Sequence, residues 1–259
     1  VLVTAQHSLQ MLKLFTIETL ELGICDVSRK MGLSKSTISR IVSTFVEESI
    51  LEKNRKTGRY RLSPVLLELG LIAEETSPLI QHARGAIDEL SKRIQREVSL
   101  CLRDNQESIC VYLSQNGKES ISGQRTFLPV TLSGLVTLVF SHDNPSAFLR
   151  TKCPARLDSS LLAKLLWHVG AIDSEGYAQG EEPLEMERFT VACPIFHTRG
   201  YAIGAVSMSS NGSPGQAEVT GIEMLGRLAQ HLSAELASGC IHEEFCDWST
   251  DTDIASLCD

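Results

Sequence analysis

Residues 32–62, GLSKSTISRIVSTFVEESILEKNRKTGRYRL, limit the possible folds more than any other segment. After a polar turn at Leu33-Ser34, apolar residues recur at Ile38, Ile41, Val42, Phe45 and Val46, which is helical spacing. Ser34 suits the cap of that helix, because its hydroxyl can accept an orphan N–H of the first turn. Upstream, Val27 and Met31 stand four apart on a short helix expected over 26–31, with Asp26 as its cap. Gly32 follows where a left-handed residue ends a helix. Downstream, two short runs, 50–53 and 59–62, flank the loop 54–58 with its Gly58, a hairpin signal. The pattern predicts a helix-turn-helix followed by a two-stranded wing.

The charge of this segment says what such a module would touch. Between Arg29 and Arg61 stand nine Lys/Arg and three Asp/Glu, a local charge of +6 in a chain of formal net charge −8. A basic stripe on an acidic protein is the electrostatic footprint of nucleic-acid binding. Ser34, Lys35, Ser36, Thr37, Ser39 and Arg40 lie mostly off the apolar stripe, at the helix start, where a recognition helix meets base edges. Small hydroxyls permit close approach to the groove, and Lys and Arg donate to guanine or phosphate. Arg55, Lys56 and Arg59 place further positive charge on the wing. The competing reading is a winged module that makes only protein contacts, its charges solvated.

With 259 residues, 42% hydrophobic and 22% charged, the chain has the composition of one large or two ordinary globular domains. No apolar run is long enough to span a bilayer, and no basic-then-apolar leader opens the sequence. Asn211-Gly212-Ser213 fits the glycosylation pattern but carries no weight without a secretory signal. Cysteines stand at 25, 101, 110, 153, 193, 240, 246 and 258, with no CxxC pair. They read as reduced thiols of a cytoplasmic protein, and no metal or cofactor is expected.

Before the reading head, a helix is expected over 8–19, with Leu9, Leu12 and Phe15 on one side. After the wing, Ser63-Pro64 opens another helix carrying Val65, Leu66, Leu69 and Ile72. Thr76-Ser77-Pro78 breaks it. A linker helix over 79–96 bears Ile80, Ala83, Ile87, Leu90 and Ile94, a stripe suited to contact between copies of the chain. From Glu97 the period changes. VSLCLRD and SICVYLS read as strands around a turn at 105–107, and FTVACPIF and YAIGAVSMS as strands around Thr198-Arg199-Gly200. Helices are expected over 134–140, 159–169 and 217–237, and a short extended piece at 176–178. The class is α+β. The expected divisions are a winged helix-turn-helix domain (1–75), a linker helix (76–96), a sheet-and-helix domain (97–240) and an acidic tail (241–259).

Over nearly its whole length the chain resembles the IclR family of bacterial transcription regulators. The segments that carry the resemblance are GLSKSTISRIVSTF, GRYRLSPVLLELG, GYAQGEEP and VACPIFHTRGYAIGAVSMS, in that order. The resemblance implies a winged head, a linker helix and a GAF-like ligand domain. It also implies homodimers that often pair into homotetramers on double-stranded DNA with an inverted-repeat operator. It further implies a small anionic metabolite as ligand, usually a carboxylate. Leu132, Ser133 and Gly134 open an apolar helix whose N–H groups could hold such an anion. By resemblance the facing wall would carry Thr190, Cys193, Ser207 and Ser209. The chain departs from the family at Ser49, where a Gly usually precedes the wing. It departs again at SGLVTLVF, which lacks a Gly-Lys-Ala, and at GYAQGEE, one residue short.

Other constellations are weaker. Cys193 and His197 are four apart, about 13 Å along a strand, too far for a nucleophile and its base. Cys240, His242 and Cys246 lack a fourth zinc ligand at a recognised spacing. His82, His142, His168 and His231 stand alone, and Glu181, Glu182, Glu185 and Glu187 read as a solvated acidic loop. No phosphate-binding or dinucleotide fingerprint is present. The sequence therefore predicts a metabolite-controlled DNA-binding regulator and no enzyme. The alternatives are a thiol-based redox regulator centred on Cys193, and an enzyme with an appended winged domain.

Overall fold

The computed structural model describes residues 2–16, 18–120, 123–152, 158–185, 187–211 and 217–238. The chain divides into two compact units, Val1–Thr76 and Ser77–Asp259. The acidic tail and the Cys240, His242 and Cys246 group lie outside the described residues.

In the first unit, α1 (Val3–Leu12) begins and ends earlier than the expected 8–19 helix. The Leu14 N–H bonds to the Met11 carbonyl and the Phe15 N–H to that of Leu12, so three-residue turns close the helix there. Leu14 and Phe15 then pack on the head's core. Gly23, in extended conformation, precedes α2 (Ile24–Met31). Asp26 is the third helical residue and not the cap, and its carboxylate accepts the Gly23 N–H at 3.2 Å. Gly32 closes α2 with φ 67°, the left-handed conformation that a residue without Cβ adopts at least cost. There follow α3 (Lys35–Glu47) and a hairpin of β1 (Leu51–Lys53) and β2 (Tyr60–Leu62), with Leu51 opposite Leu62. Ile38, Ile41 and Val42 enter a core with Met11, Leu22, Val27 and Leu51. Phe45 packs at its edge and Val46 is exposed, so the buried stripe of α3 is narrower than its sequence suggests. The unit ends in α4 (Val65–Thr76), none of whose residues is buried.

The second unit opens with α5 (Pro78–Ile94). A sheet follows, of β3 (Glu97–Asp104), β4 (Glu107–Gln115), β5 (Lys118–Glu119) and β6 (Arg125–Phe127). After a 3-10 turn (Leu128–Val130) come α6 (Leu132–Val139), α7 (Pro145–Lys152) and α8 (Ser159–Glu175). Then β7 (Ala178–Glu181), β8 (Arg188–Phe196) and β9 (Ala202–Asn211) complete the sheet, and α9 (Ala217–Ala237) closes the unit. The strand order is β5-β4-β3-β9-β8-β7, with β6 beside β4, and every pairing is antiparallel. The class is α+β, as the sequence predicts; the very short β5 and β6 and helix α7 are additions to the expected elements.

The two faces of this sheet differ chemically. Val98, Leu100, Leu102, Tyr112, Val191, Cys193, Val206 and Met208 share one core with residues of α5 and α9. The alternate positions on β3 and β9, Ser99, Ser207 and Ser209, point to the face that carries α6. Small polar side chains there leave space that large apolar ones fill on the other side. The stripe of α5 (Leu79, Ile80, Ala83, Ile87, Leu90) is buried in the first of these cores. The stripe that the sequence suggests for contact with a second copy is thus buried within the second unit.

Candidate DNA-reading face and ligand cavity

The reading face is built on the first turn of α3. The Ser34 Oγ accepts the Thr37 N–H at 3.2 Å and bonds to the hydroxyls of Ser36 (2.9 Å) and Thr37 (2.8 Å). The cap thus organises three of the expected DNA-binding residues. Lys35, Ser36 and Arg40 are exposed, and Thr37 and Ser39 half-buried.

The wing is ordered by Asn54. Its Oδ1 accepts the Lys56 N–H at 2.9 Å, and its Nδ2 donates to the Glu21 Oε1 at 2.6 Å. The Thr57 hydroxyl donates to the other Glu21 oxygen at 2.9 Å. The hydrogen bonds from Asn54 and Thr57 hold the Glu21 carboxyl below its ordinary pKa.

The wing's cations divide into two sets. Arg59 pairs with Asp26 of α2, and Arg61 with Glu52 at 2.9 Å. Lys35, Arg40, Arg55 and Lys56 are exposed and make no ion pair among the described residues. Arg59, expected as a DNA contact, ties the wing to α2.

The second unit holds a cavity of about 360 Å³ on the α6 side of the sheet. Ser99 and Cys101 of β3 and Ser207 and Ser209 of β9 form its floor, and Ser108, Cys110 and Leu113 of β4 one wall. Gln124, Thr126, Val130, Thr131 and Ser133 line the side toward α6. Glu97, Glu182, Leu184, Glu185 and Arg188 complete it. The floor hydroxyls pair across strands, Ser99 with Ser207 at 2.8 Å, while Thr190, one layer away, meets Ser209 at 2.9 Å. Cys101 and Cys110 are free thiols at paired positions. Their mutual hydrogen bond raises the Cys110 pKa and lowers that of Cys101.

Of the expected ligand residues, the structure brings Ser133, Ser207 and Ser209 to this cavity. Cys193 is on the opposite face, opposite Val206 and in the core with α5 and α9. Burial pushes its thiol up to about 12, so it is a poor thiolate source for redox chemistry or catalysis. His197 is stacked on Tyr201, its Nδ1 engaged by Thr198 and Arg199. Gly134 serves packing: a Cβ there would stand 1.9 Å from the Leu128 carbonyl oxygen.

The start of α6 is not an open anion site. The Leu132 N–H donates to the Glu182 Oε2 at 3.1 Å, and the Gly134 N–H to the Thr131 Oγ1 at 3.2 Å. Glu182, expected in a solvated loop, is only 8% exposed. Burial pushes its carboxyl above the ordinary value, while the Thr190 hydroxyl and the Leu132 N–H pull it down. Glu97, Glu182, Glu185 and Arg188 are the cavity's charged residues, and the sequence reading missed all four. Their signal lies in strand pairing: β7 runs beside β8, and the Glu182 N–H reaches the Arg188 carbonyl at 2.8 Å.

A winged helix-turn-helix head with an unpaired cationic face, joined to a sheet-and-helix unit, defines a DNA-binding transcription regulator. Residues 4–55 match the family model of the IclR helix-turn-helix domain. The HTH-type transcriptional regulator XynR of Escherichia coli is 29% identical over 217 residues, covering 80% of this chain and 85% of the relative. A solved IclR family transcriptional regulator from Brucella abortus superposes with a TM-score of 0.80 at 19% identity, covering 90% of this chain and 92% of that one. An IclR homolog of Microbacterium hydrocarbonoxydans, complexed with 4-hydroxybenzoate, gives a TM-score of 0.69 at 19% identity, covering 91% of this chain and 99% of that one. Residues 4–55 thus carry the helix-turn-helix domain of the IclR family, and most of the chain is similar to bacterial IclR transcriptional regulators. No described helix is long and apolar enough to cross a membrane.

Proposed function

We propose that this protein controls transcription in the cytoplasm by binding an inverted-repeat operator as at least a dimer. A small molecule in the second unit's cavity sets its affinity for that operator. The cavity itself carries the effector reading: about 360 Å³, the size of a small-ligand site, lined by hydroxyls and a few charges that can fix a polar molecule. The 4-hydroxybenzoate in the Microbacterium homolog supports a small organic molecule as effector for this fold. The head supplies the DNA contacts through Lys35, Ser36, Ser39 and Arg40 on α3 and through Arg55 and Lys56 on the wing. The protein acts by binding, without chemistry.

One recognition helix and wing read too few bases for genomic selectivity, and a two-fold pair reads two half-sites. The surface for self-association is α4. Its Leu67, Leu69, Leu71 and Ile72 are each more than half exposed. Leu67 and Leu71 stand on one side of the helix and Leu69 and Ile72 on another, and exposed apolar surface of this extent supports a contact with another chain. Such a surface supports homodimers, or homotetramers built from them.

The deciding experiment measures affinity for a promoter fragment by fluorescence anisotropy while small molecules are titrated in. An effector should change that affinity about 5- to 150-fold, the usual range of coupling between two sites. Ser207→Leu, which fills the cavity, should abolish the change. A ligand whose effect survives Ser207→Leu would place control elsewhere.

A further inference from the structure

We infer that the occupant of this cavity is a hydroxyl-rich small molecule without an anionic group, recognised through hydrogen bonds that it donates to Glu182. The inference rests on the reading of the cavity as the effector site and names the chemistry of that effector.

The charges come first. Three carboxylates, Glu97, Glu182 and Glu185, meet one guanidinium, Arg188. That guanidinium is already engaged: it is bonded to Glu97, and its Nε lies 4.0 Å from Glu185. No other cation lines the cavity among the described residues, so its lining carries a net charge of −2. An anion would add to that net negative charge, part of which, at Glu182, is buried.

Two backbone donors of the first turn of α6 are spent as well. At the start of α6, where free N–H groups would hold an anion, the chain's own Glu182 carboxylate accepts the Leu132 N–H. The Thr131 side chain takes the Gly134 N–H. The protein thus places a carboxylate of its own where a ligand carboxylate would otherwise dock.

What remains unspent is acceptor capacity. A carboxylate offers about four lone-pair sites, and Glu182 uses only those facing Leu132 and Thr190. Serine hydroxyls around it both donate and accept. A ligand that brings several O–H groups, or O–H groups beside an ammonium, satisfies these partners, and a ligand that brings only acceptors does not. The cavity volume corresponds to roughly a dozen waters, which suits a small polyol.

The test uses the full chain and calorimetric titration with matched probes. Glycerol, erythritol and ribitol are the neutral arm, 3-aminopropane-1,2-diol and glucosamine the cationic arm, and glycerate and ribonate the acids. The expected result is binding in the neutral or cationic arm about tenfold or more tighter than the matched acid, the scale set by one extra repulsive charge. Glu182→Gln should close that gap, because it removes the charge and keeps an acceptor for Leu132. Binding in either arm should be lost in Ser207→Leu. An acid that binds the unmodified protein as tightly as its polyol, and is lost in Ser207→Leu, overturns the inference and leaves the effector site standing. Absence of binding by every polyol and amino polyol also overturns it. A polyol that binds without changing operator affinity upholds the ligand class and removes the regulatory reading.

Discussion

The Ser34 hydroxyl accepts the backbone N–H of Thr37 at 3.2 Å, so the recognition helix is capped by a residue of its own exposed turn. Replacing Ser34 with Ala should lower the stability of the head by about 1 kcal/mol, and Asp should restore most of it. Urea unfolding followed by circular dichroism reads both. An Ala variant as stable as the parent would mean that the helix start is held by the core alone.

The division of the cations predicts which substitutions alter the salt dependence of DNA binding. Arg40→Ala should cost about 1–3 kcal/mol and relax preference at one base position, if its guanidinium reads a base. Lys56→Ala should weaken all sequences alike and reduce the slope of log affinity against log salt by about 0.9. Arg61→Ala should change that slope less, because its charge is already balanced by Glu52. Equal slope changes for Lys56 and Arg61 would show that the intramolecular pair opens on DNA.

Ser49 has a φ of 57°, the left-handed region, and its carbonyl accepts the Ser63 hydroxyl. Glycine there relieves the Cβ penalty at a smaller entropic cost and keeps the carbonyl. Ser49→Gly should therefore stabilise the head by about 0.5–1 kcal/mol. A lower melting temperature in calorimetry would contradict this.

Glu182→Gln carries a pH signature. Burial holds the folded-state pKa of Glu182 above its ordinary value of 4.5. The ionised group therefore opposes folding above the folded pKa. That opposition fades as pH falls through the folded value and is gone below 4.5. The Gln variant should melt higher than the parent at neutral pH, and the difference should vanish in acid. A constant difference across pH would show that charge is not the cause.

Gly134→Ala should destabilise the second unit by about 3 kcal/mol or more, since the new Cβ would overlap the Leu128 carbonyl oxygen and backbone must move. Thermal unfolding of the full chain, with the head as internal control, measures it.

The head was legible because its signals are local. Ser34, Gly32 and the period of Ile38, Ile41 and Val42 each depend on neighbours within a turn or two, so the sequence alone locates α2, α3 and the wing. Arg59 was harder, since its partner Asp26 is 33 residues away. The cavity was legible only where a strand alternates cleanly. Ser207 and Ser209 stand on a strand whose other side chains, Val206 and Met208, are apolar. On β8 both faces are buried, so nothing in the sequence tells which side Cys193 takes. Glu182 sits in an acidic run that reads as solvent-facing. Only the pairing of β7 with β8 carries it under α6.

The buried stripe of α5 has a mechanical consequence. The Tyr112 hydroxyl of β4 donates to Asp88 at 3.0 Å, and the Ser91 hydroxyl of α5 to the Ser114 carbonyl at 3.0 Å. The strand that walls the cavity is therefore bolted to the middle and end of a 17-residue rod. Such a rod is about 25 Å long, and a tilt of about 5° around its Ile94 end displaces Pro78 by about 2 Å. Pro78 is two residues from Thr76, where the first unit ends. A shift of the cavity wall that tilted this rod would therefore grow along its length toward Pro78.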